Sequence, residues 1–249
     1  MKLSLIIPCY NEEVNIQKGV LDRIGNFTKS DTRFTEVLII DDGSLDSSVR
    51  IIKEKYIPLF PKFRLIINRH LGKAYAIIKG IKEAKSEYVM FSDIDLATPI
   101  EEADKLISMA EKGFDVVIGS RSSGREGAPL TRKIMALGMI VFRQYFVGLR
   151  GIKDTQCGFK LFRTKAAQKI VSNLRVFTQD QLAEGSSVSA GFDLEFLFLA
   201  KRLKYKTMEV PVIWRHVETK NVTFIKSSLE SLMDIFRIKW YEILNKYPR

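Results

Sequence analysis

Asp93 and Asp95 are separated by a single residue, and two carboxylates at i and i+2 can share one hard divalent cation such as Mg2+ or Mn2+. A cation held there bridges a diphosphate and stabilises charge that grows on a departing nucleoside diphosphate in the transition state. A second acidic pair, Asp41-Asp42, runs into Gly43-Ser44. Either carboxylate suits the N–H edge of a uracil or guanine, and the same residues also read as a helix N-cap. Gly72-Lys73 opens an amphipathic stretch, where backbone N–H groups and an ammonium would face phosphate. Arg121, Arg125, Arg132 and Lys133 surround a Gly/Ser-rich run, Ser122 to Ala128. Guanidinium forks grip phosphate oxygens in pairs, so a loop bearing them would close over an acceptor phosphate. A phosphate monoester, with a second pKa of ~6, is largely ionised near neutral pH. Such a nucleophile needs cations to place it more than a strong base to activate it, which accommodates a chain whose two histidines, His70 and His216, read as structural, with a diphosphate contact as the alternative for His216.

These residues need elements to hold them together. Short apolar runs at Leu3–Pro8, Glu36–Ile40, Arg64–Ile67, Tyr88–Phe91 and Val116–Ile118 predict strands, and the amphipathic stretches between them predict helices. Strand and helix in alternation give an α/β fold with a mainly parallel sheet flanked by helices, in which ligands bind beyond the carboxyl ends of the strands. The polar residues fall at those ends: Tyr10-Asn11-Glu12, Asp41-Asp42-Gly43-Ser44, Asp93-Ile94-Asp95 and Gly119-Ser120-Arg121. An Asp-x-Asp triplet by itself is common in solvated loops, and this placement is what turns it into a candidate metal site. Beyond Arg121 the alternation fades into the Gly/Ser/Arg run, a helix predicted from Thr131 to about Val147, and the stretch Asp154 to Lys160. Residues 1–120 therefore read as the nucleotide half and 121–223 as the acceptor half of one domain, with no repeat or low-complexity tract.

Length and composition bound the rest. The 249 residues, 46% hydrophobic and 28% charged, suit one substantial core. The opening segment reads as a strand and not a signal peptide, and no uncharged run reaches the ~20 apolar residues of a membrane-spanning helix. Cys9 and Cys157 lack metal-ligand spacing, which disfavours a zinc site or disulfide framework and fits a reducing cytoplasm. A net charge of +11 calls for an anionic partner, whether nucleic acid, acidic lipid or phosphorylated substrate. The last stretch, 224–249, sets Phe224, Leu229, Leu232, Ile235, Phe236, Ile238, Trp240, Ile243 and Leu244 at helical spacing among Lys226, Arg237, Lys239, Lys246 and Arg249. A basic amphipathic helix of this kind fits the surface of an anionic bilayer, and a terminal helix packed on the core is the alternative.

Taken in order, Pro8-Cys9-Tyr10-Asn11-Glu12, Asp41-Asp42-Gly43-Ser44, Gly72-Lys73, Asp93-Ile94-Asp95 and Gly119-Ser120-Arg121 resemble glycosyltransferase family 2 and its GT-A fold. Gly151 to Phe162, Gly191-Phe192-Asp193-Leu194-Glu195, Glu209-Val210-Pro211-Val212 and Trp214 look like its dolichyl-phosphate β-glucosyltransferase branch. The resemblance implies inverting transfer of glucose from UDP-glucose to a dolichyl or other polyprenyl phosphate, peripherally on the cytoplasmic membrane face. It implies that Pro8, Tyr10, Glu12 and one of Asp41 or Asp42 hold the nucleoside, with Gly72, Lys73 and Ile94 also on the donor, and that Asp93 and Asp95 bind metal. Arg121 and Arg132 would meet the acceptor phosphate, Asp154 would act as a base or an orienting group with Gln156 beside it, and Asp193 and Glu195 would shape the sugar pocket. Ala97 stands where the mannosyl-transferring relatives usually offer a further polar metal neighbour, which points away from GDP-mannose, the nearest alternative donor. The eukaryotic glucosyl enzymes carry an amino-terminal anchor, so a chain without one is expected to be a prokaryotic relative held by its carboxyl-terminal helix, with oligomerisation open. A basic nucleic-acid-binding protein is the rival from another class. It is disfavoured because acidic loops repel a polyanion and no nucleic-acid motif is present.

Overall fold

The run Leu3–Cys9 (β1) is buried at every position, and Phe34–Asp41 (β2) is buried at all but one. Strands covered on both faces belong in the middle of a parallel sheet. In the computed structural model, residues 1–121, 138, 144–177, 190–215 and 224–248 are described, with the backbone alone for 190 and 224–231. Among them, β1, β2, Phe63–Ile67 (β3), Tyr88–Phe91 (β4), Val116–Ser120 (β5), Lys160–Arg163 (β6) and Thr207–Pro211 (β7) form one sheet in the order β3-β2-β1-β4-β6-β5-β7. The five strands expected from apolar runs are all present, with ends differing by up to two residues. Neighbours pair in parallel except at β6, which runs antiparallel to both β4 and β5. The amino end of β6 therefore lies at the same sheet edge as the carboxyl ends of the other strands.

Alternation along β1 divides the core. Leu5 and Ile7 join the cluster under Val20–Ser30 (α2, after Glu13–Gln17, α1) and Ala103–Glu111 (α6), whereas Ile6 joins the opposite one. That second cluster packs Lys73–Glu83 (α5), Thr164–Val171 (α7), Ala190–Arg202 (α8) and Phe224–Ile243 (α9). On the β2 side, Ser48–Ile51 (α3) continues through a π-helical turn, Ile52–Tyr56, into Ile57–Leu59 (α4). Each fully buried Ile or Leu stabilises these layers by about 1.5–3 kcal/mol.

Helix α5 settles against the sheet because Ala74, Ile77, Ile78 and Ile81 face inward. Gly80 lies so close to Ile6 that an added Cβ would stand 2.6 Å from that side chain. This close approach places the first residue of α5, Lys73, directly over the sheet edge. Helix α9 packs Ile235 and Ile238 into the core and leaves Met233, Phe236, Trp240 and Ile243 exposed, as is Leu244 just after it. One face of the helix is thus packed on the core, and the other presents apolar side chains to solvent. The helix expected from Thr131 lies mainly outside the described residues, which include 144–146 in helical conformation. No helix among the described residues is long and apolar enough to cross a membrane.

Candidate functional site

The loops after β1 and β2 are tied to one another by side chains. Asn11 has φ 53°, and its Oδ1 accepts the N–H of Leu45 at 2.7 Å while its own N–H donates to Ser44 Oγ at 2.9 Å. The Glu12 N–H donates to Ser48 Oγ, and Glu13 N–H donates to Asp46 Oδ2. Beside them the Tyr10 ring stacks on His70, with centroids 4.1 Å apart and planes within 10°. The paired aspartates part company here. Asp42 accepts from the N–H groups of Leu71 and Gly72, and His70 Nδ1 lies 2.9 Å from its Oδ2. Its carboxylate thus holds the turn before α5, where Gly72 has φ 97° in a region that favours glycine. Asp41 uses Oδ2 for the N–H groups of Gly43 and Ser44, and its buried Oδ1 has no hydrogen-bond partner among the described residues. A buried acceptor left open is costly without a ligand to supply the donor.

Next along the edge stands a cluster of five charges. Lys73 Nζ lies 2.5 Å from Asp93 Oδ1, and Lys73 also feels the charges of Asp193 and Asp95. Burial lowers the Lys73 pKa and Asp93 opposes it, with a net rise, so the ammonium stays charged. Asp95 Oδ1 accepts the Ala97 N–H at 3.0 Å. Burial first, and then the charge of Asp93, raises the Asp95 carboxyl above its ordinary value. Asp193, on the first turn of α8, accepts from Lys160 Nζ at 2.6 Å, and that ammonium also donates to the Cys157 carbonyl. Lys160 is 1% exposed and sits 5.3 Å from the centroid of Phe91, opposite which it is registered in the sheet. Gly158 completes the cluster by its lack of a side chain, since a Cβ there would fall within 2.3–2.5 Å of the Asp93 carboxylate.

The third part begins at the end of β5. Asp154 grips Arg121 with Nε–Oδ2 at 2.7 Å and Nη2–Oδ1 at 2.8 Å, and accepts the Arg121 backbone N–H at 3.0 Å and that of Gln156 at 3.2 Å. Burial acts to raise the Asp154 carboxyl, but the bonds from Arg121 outweigh it and hold it below the ordinary range. Glu209 of β7 fixes this loop by accepting the N–H groups of Lys153 and Asp154. The Arg121 guanidinium lies 5.8 Å from the Trp214 ring centroid, and Arg121 and Asp193 are close enough for their charges to interact. Arg215 N–H donates to the Ala97 carbonyl, so the segment after β7 runs beside the loop that carries Asp95. The Gln156 side chain is exposed.

The structure thus brings Tyr10, Asp41, Lys73, Asp93, Asp95, Asp193, Arg121 and Asp154 into one continuous band along the sheet edge. Pro8 and Ile94 are buried, Pro8 within β1 and Ile94 in the core, so contact with a ligand would come through their backbone. Glu195 is not brought to the band. It is 0% exposed, accepts the N–H groups of Arg175, Val176 and Phe177, and receives the Tyr247 hydroxyl at 2.7 Å. Two residues along a helix are about 200° apart around its axis, so Asp193 and Glu195 serve opposite sides of α8. Arg125, Arg132, Lys133 and His216 lie outside the described residues. Lys160 is a member of the cluster that sequence reasoning does not single out, its signal being only a charged residue at the start of the short strand Lys160–Arg163.

Among the described residues no three His, Cys, Asp or Glu side chains gather as a metal site. Asp93 and Asp95 nevertheless suit a hard divalent ion, because Mg2+ and Mn2+ sites commonly take one or two carboxylates and complete their shell with phosphate oxygens and water. A cation between the two carboxylates would offset the repulsion that Asp93 adds to the burial of Asp95. Thiolates are not part of this donor set, since burial pushes the Cys157 thiol up to about 11.

A family model described as glycosyl transferase family 2 matches residues 4–171. The chain is 31% identical over 258 residues to dolichyl-phosphate beta-glucosyltransferase of Dictyostelium discoideum, covering 97% of this chain and 75% of the relative. It is 30% identical to the Homo sapiens protein of the same name, covering 96% and 75%. Among solved structures, glucosyl-3-phosphoglycerate synthase from Mycobacterium tuberculosis, in complex with Mn2+, uridine-diphosphate-glucose and phosphoglyceric acid, superposes with a TM-score of 0.64 at 16% identity, over 95% of this chain and 79% of that one. A structure of that synthase with Mg2+ and uridine-diphosphate gives 0.65 at 17% identity.

Proposed function

This chain belongs to glycosyl transferase family 2, and on that premise we propose that it transfers glucose, with inversion, from UDP-glucose to a dolichyl or other polyprenyl phosphate at the cytoplasmic surface of a membrane. The observation that carries the reading is the convergence of Asp93, Asp95 and Lys73 at the sheet edge, between Tyr10 and Asp41 on one side and the Arg121–Asp154 pair on the other. The names of its relatives supply the sugar and the acceptor.

In this reading the unpartnered Asp41 Oδ1 accepts an N–H from the base, while Tyr10, backed by His70, lies along its face. Pro8, Glu12 and the backbone at Ile94 are assigned to the same nucleoside. Lys73 and the first turn of α5 attract the diphosphate. A Mg2+ or Mn2+ ion held by Asp93 and Asp95 would supply Lewis-acid stabilisation of the leaving diphosphate. Asp193, aimed by buried Lys160, takes a sugar hydroxyl. Arg121, with Arg132 and Gln156, receives the acceptor phosphate, whose ionised oxygen attacks the anomeric carbon from the face opposite the diphosphate. Asp154 has both oxygens engaged by Arg121 and by backbone N–H groups, and it acts by aiming that guanidinium instead of taking a proton. The exposed stripe Met233, Phe236, Trp240, Ile243 and Leu244, with Arg237, Lys239 and Lys246 on the same helix and tail, supports attachment to an anionic bilayer where such acceptors reside.

The test is incubation with radiolabelled nucleotide sugars, Mn2+ or Mg2+ and a short polyprenyl phosphate, followed by extraction of lipid. Label entering lipid from UDP-glucose is expected. Label from GDP-mannose alone would move the donor to mannose, and none from any donor would overturn the reading.

A further inference from the structure

Lys73 holds a position that two other cations would compete for. Its ammonium lies 2.5 Å from Asp93 Oδ1, the carboxylate that, together with Asp95, is suited to a divalent ion. Gly158 approaches the same carboxylate so closely that a Cβ there would fall within 2.3–2.5 Å of it. The remaining acidic group of the cluster, Asp193, is already neutralised by Lys160 at 2.6 Å. In the absence of ligand, then, two ammonium groups answer three carboxylates, and Asp95 is the one without an ammonium against it. A divalent ion arriving alone must share Asp93 with the positive charge of Lys73. Lys73 is also the first residue of α5, where aligned N–H groups attract phosphate. A diphosphate arriving there draws the same ammonium toward its oxygens.

We propose that Lys73 is a place-holding cation: it neutralises Asp93 until the donor diphosphate attracts it away, so that a divalent ion binds Asp93 and Asp95 tightly only together with the nucleotide. This rests on the donor reading above and adds to it the order of assembly. Lys73 acts as a positioning residue with two partners, one in each state, and no bond is made or broken in the exchange. Metal bound without donor would sit with open coordination positions beside an acceptor phosphate and hold it unproductively. Coupling the two ligands avoids that state.

The coupling is read directly as Mn2+ binding, from loss of the free-ion electron paramagnetic resonance signal, with and without UDP, on the full chain. Removing a like charge within a few ångströms of the ion is expected to strengthen binding of Mn2+ alone by about tenfold in Lys73→Met. UDP should then strengthen it far less in that variant than in the parent protein. Lys73→Arg keeps the charge and should behave as the parent does, and circular dichroism checks that both variants fold. Equal affinity of the parent and Lys73→Met for Mn2+ alone, with UDP still bound by both, would overturn the place-holder while leaving the donor site standing. Failure of the parent protein to bind UDP at any Mn2+ concentration would overturn the donor reading and the place-holder with it.

Discussion

Replacing Asp154 by Asn separates an orienting carboxylate from a catalytic base. Asp154 spends Oδ2 on Arg121 Nε and the Arg121 backbone N–H, and Oδ1 on Arg121 Nη2 and the Gln156 N–H. An amide of the same shape keeps one acceptor and presents an NH2 to the guanidinium, which itself only donates. One arm of the fork is lost and the other loses its charge. Hydrogen bonds to charged groups are worth about 1.5–3 kcal/mol. Arg121 is about a third exposed, so water recovers part of the loss, and a misaimed Arg121 is expected to cost about 2–3 kcal/mol in kcat/KM for the lipid phosphate. At 1.36 kcal/mol per decade that is about 30- to 150-fold. Initial rates with the acceptor varied at saturating UDP-glucose measure it, and the donor KM should stay within about threefold of the parent value. The pH profile adds an independent check. With its carboxyl held below the ordinary range, Asp154 is ionised throughout about pH 5 to 8, so the parent and Asp154→Asn should share one profile shape over that interval. A loss well beyond a thousandfold together with disappearance of an acidic limb, or a defect confined to the donor KM, would refute the orienting role.

Asp93→Ala and Asp95→Ala should each abolish transfer while leaving the far-ultraviolet circular dichroism unchanged, and full activity in either would remove the metal assignment. Gly158→Ala has ordinary backbone angles but puts a Cβ within 2.3–2.5 Å of the Asp93 carboxylate. A displacement of about 1 Å is expected to lower kcat on the order of a hundredfold, measured by steady-state kinetics with little change in thermal midpoint. Glu195→Ala leaves three backbone N–H groups and the Tyr247 hydroxyl without their acceptor. A loss of about 3–5 kcal/mol of unfolding free energy is expected in urea, and a loss under 1 kcal/mol would contradict the clamp. Trp240→Glu, at a position 61% exposed, should weaken sedimentation with anionic liposomes on the order of tenfold and leave stability unchanged. Deleting residues 224–249 is a poorer probe, since Ile235, Ile238 and Tyr247 are core residues.

The strands and the polar residues at their ends were readable because a strand buried on both faces must be apolar throughout, and ligand-bearing residues must sit where the chain leaves the sheet. The triplet Asp93-Ile94-Asp95 needed only that rule. Glu195 was assigned to the sugar pocket although helical geometry already places it across α8 from Asp193. Once the segment is read as a helix, the period of 3.6 residues separates the two. Asp41 and Asp42 were left as alternatives because adjacent acids in a turn differ only in what surrounds them. The fold gives them different surroundings, wrapping the 70–72 turn onto Asp42 and leaving Asp41 one oxygen open.

The layered α/β architecture and the acidic, basic and glycine residues that meet at one sheet edge were legible in the chain alone, because each follows from local periodicity and residue chemistry. Tertiary structure alone decided that β6 runs antiparallel and so delivers Lys160 to Asp193, that Lys73 rests on Asp93, and that Asp154 is spent on Arg121. Strand direction and charge pairing are settled by packing between segments distant along the chain, and no stretch of residues encodes them locally.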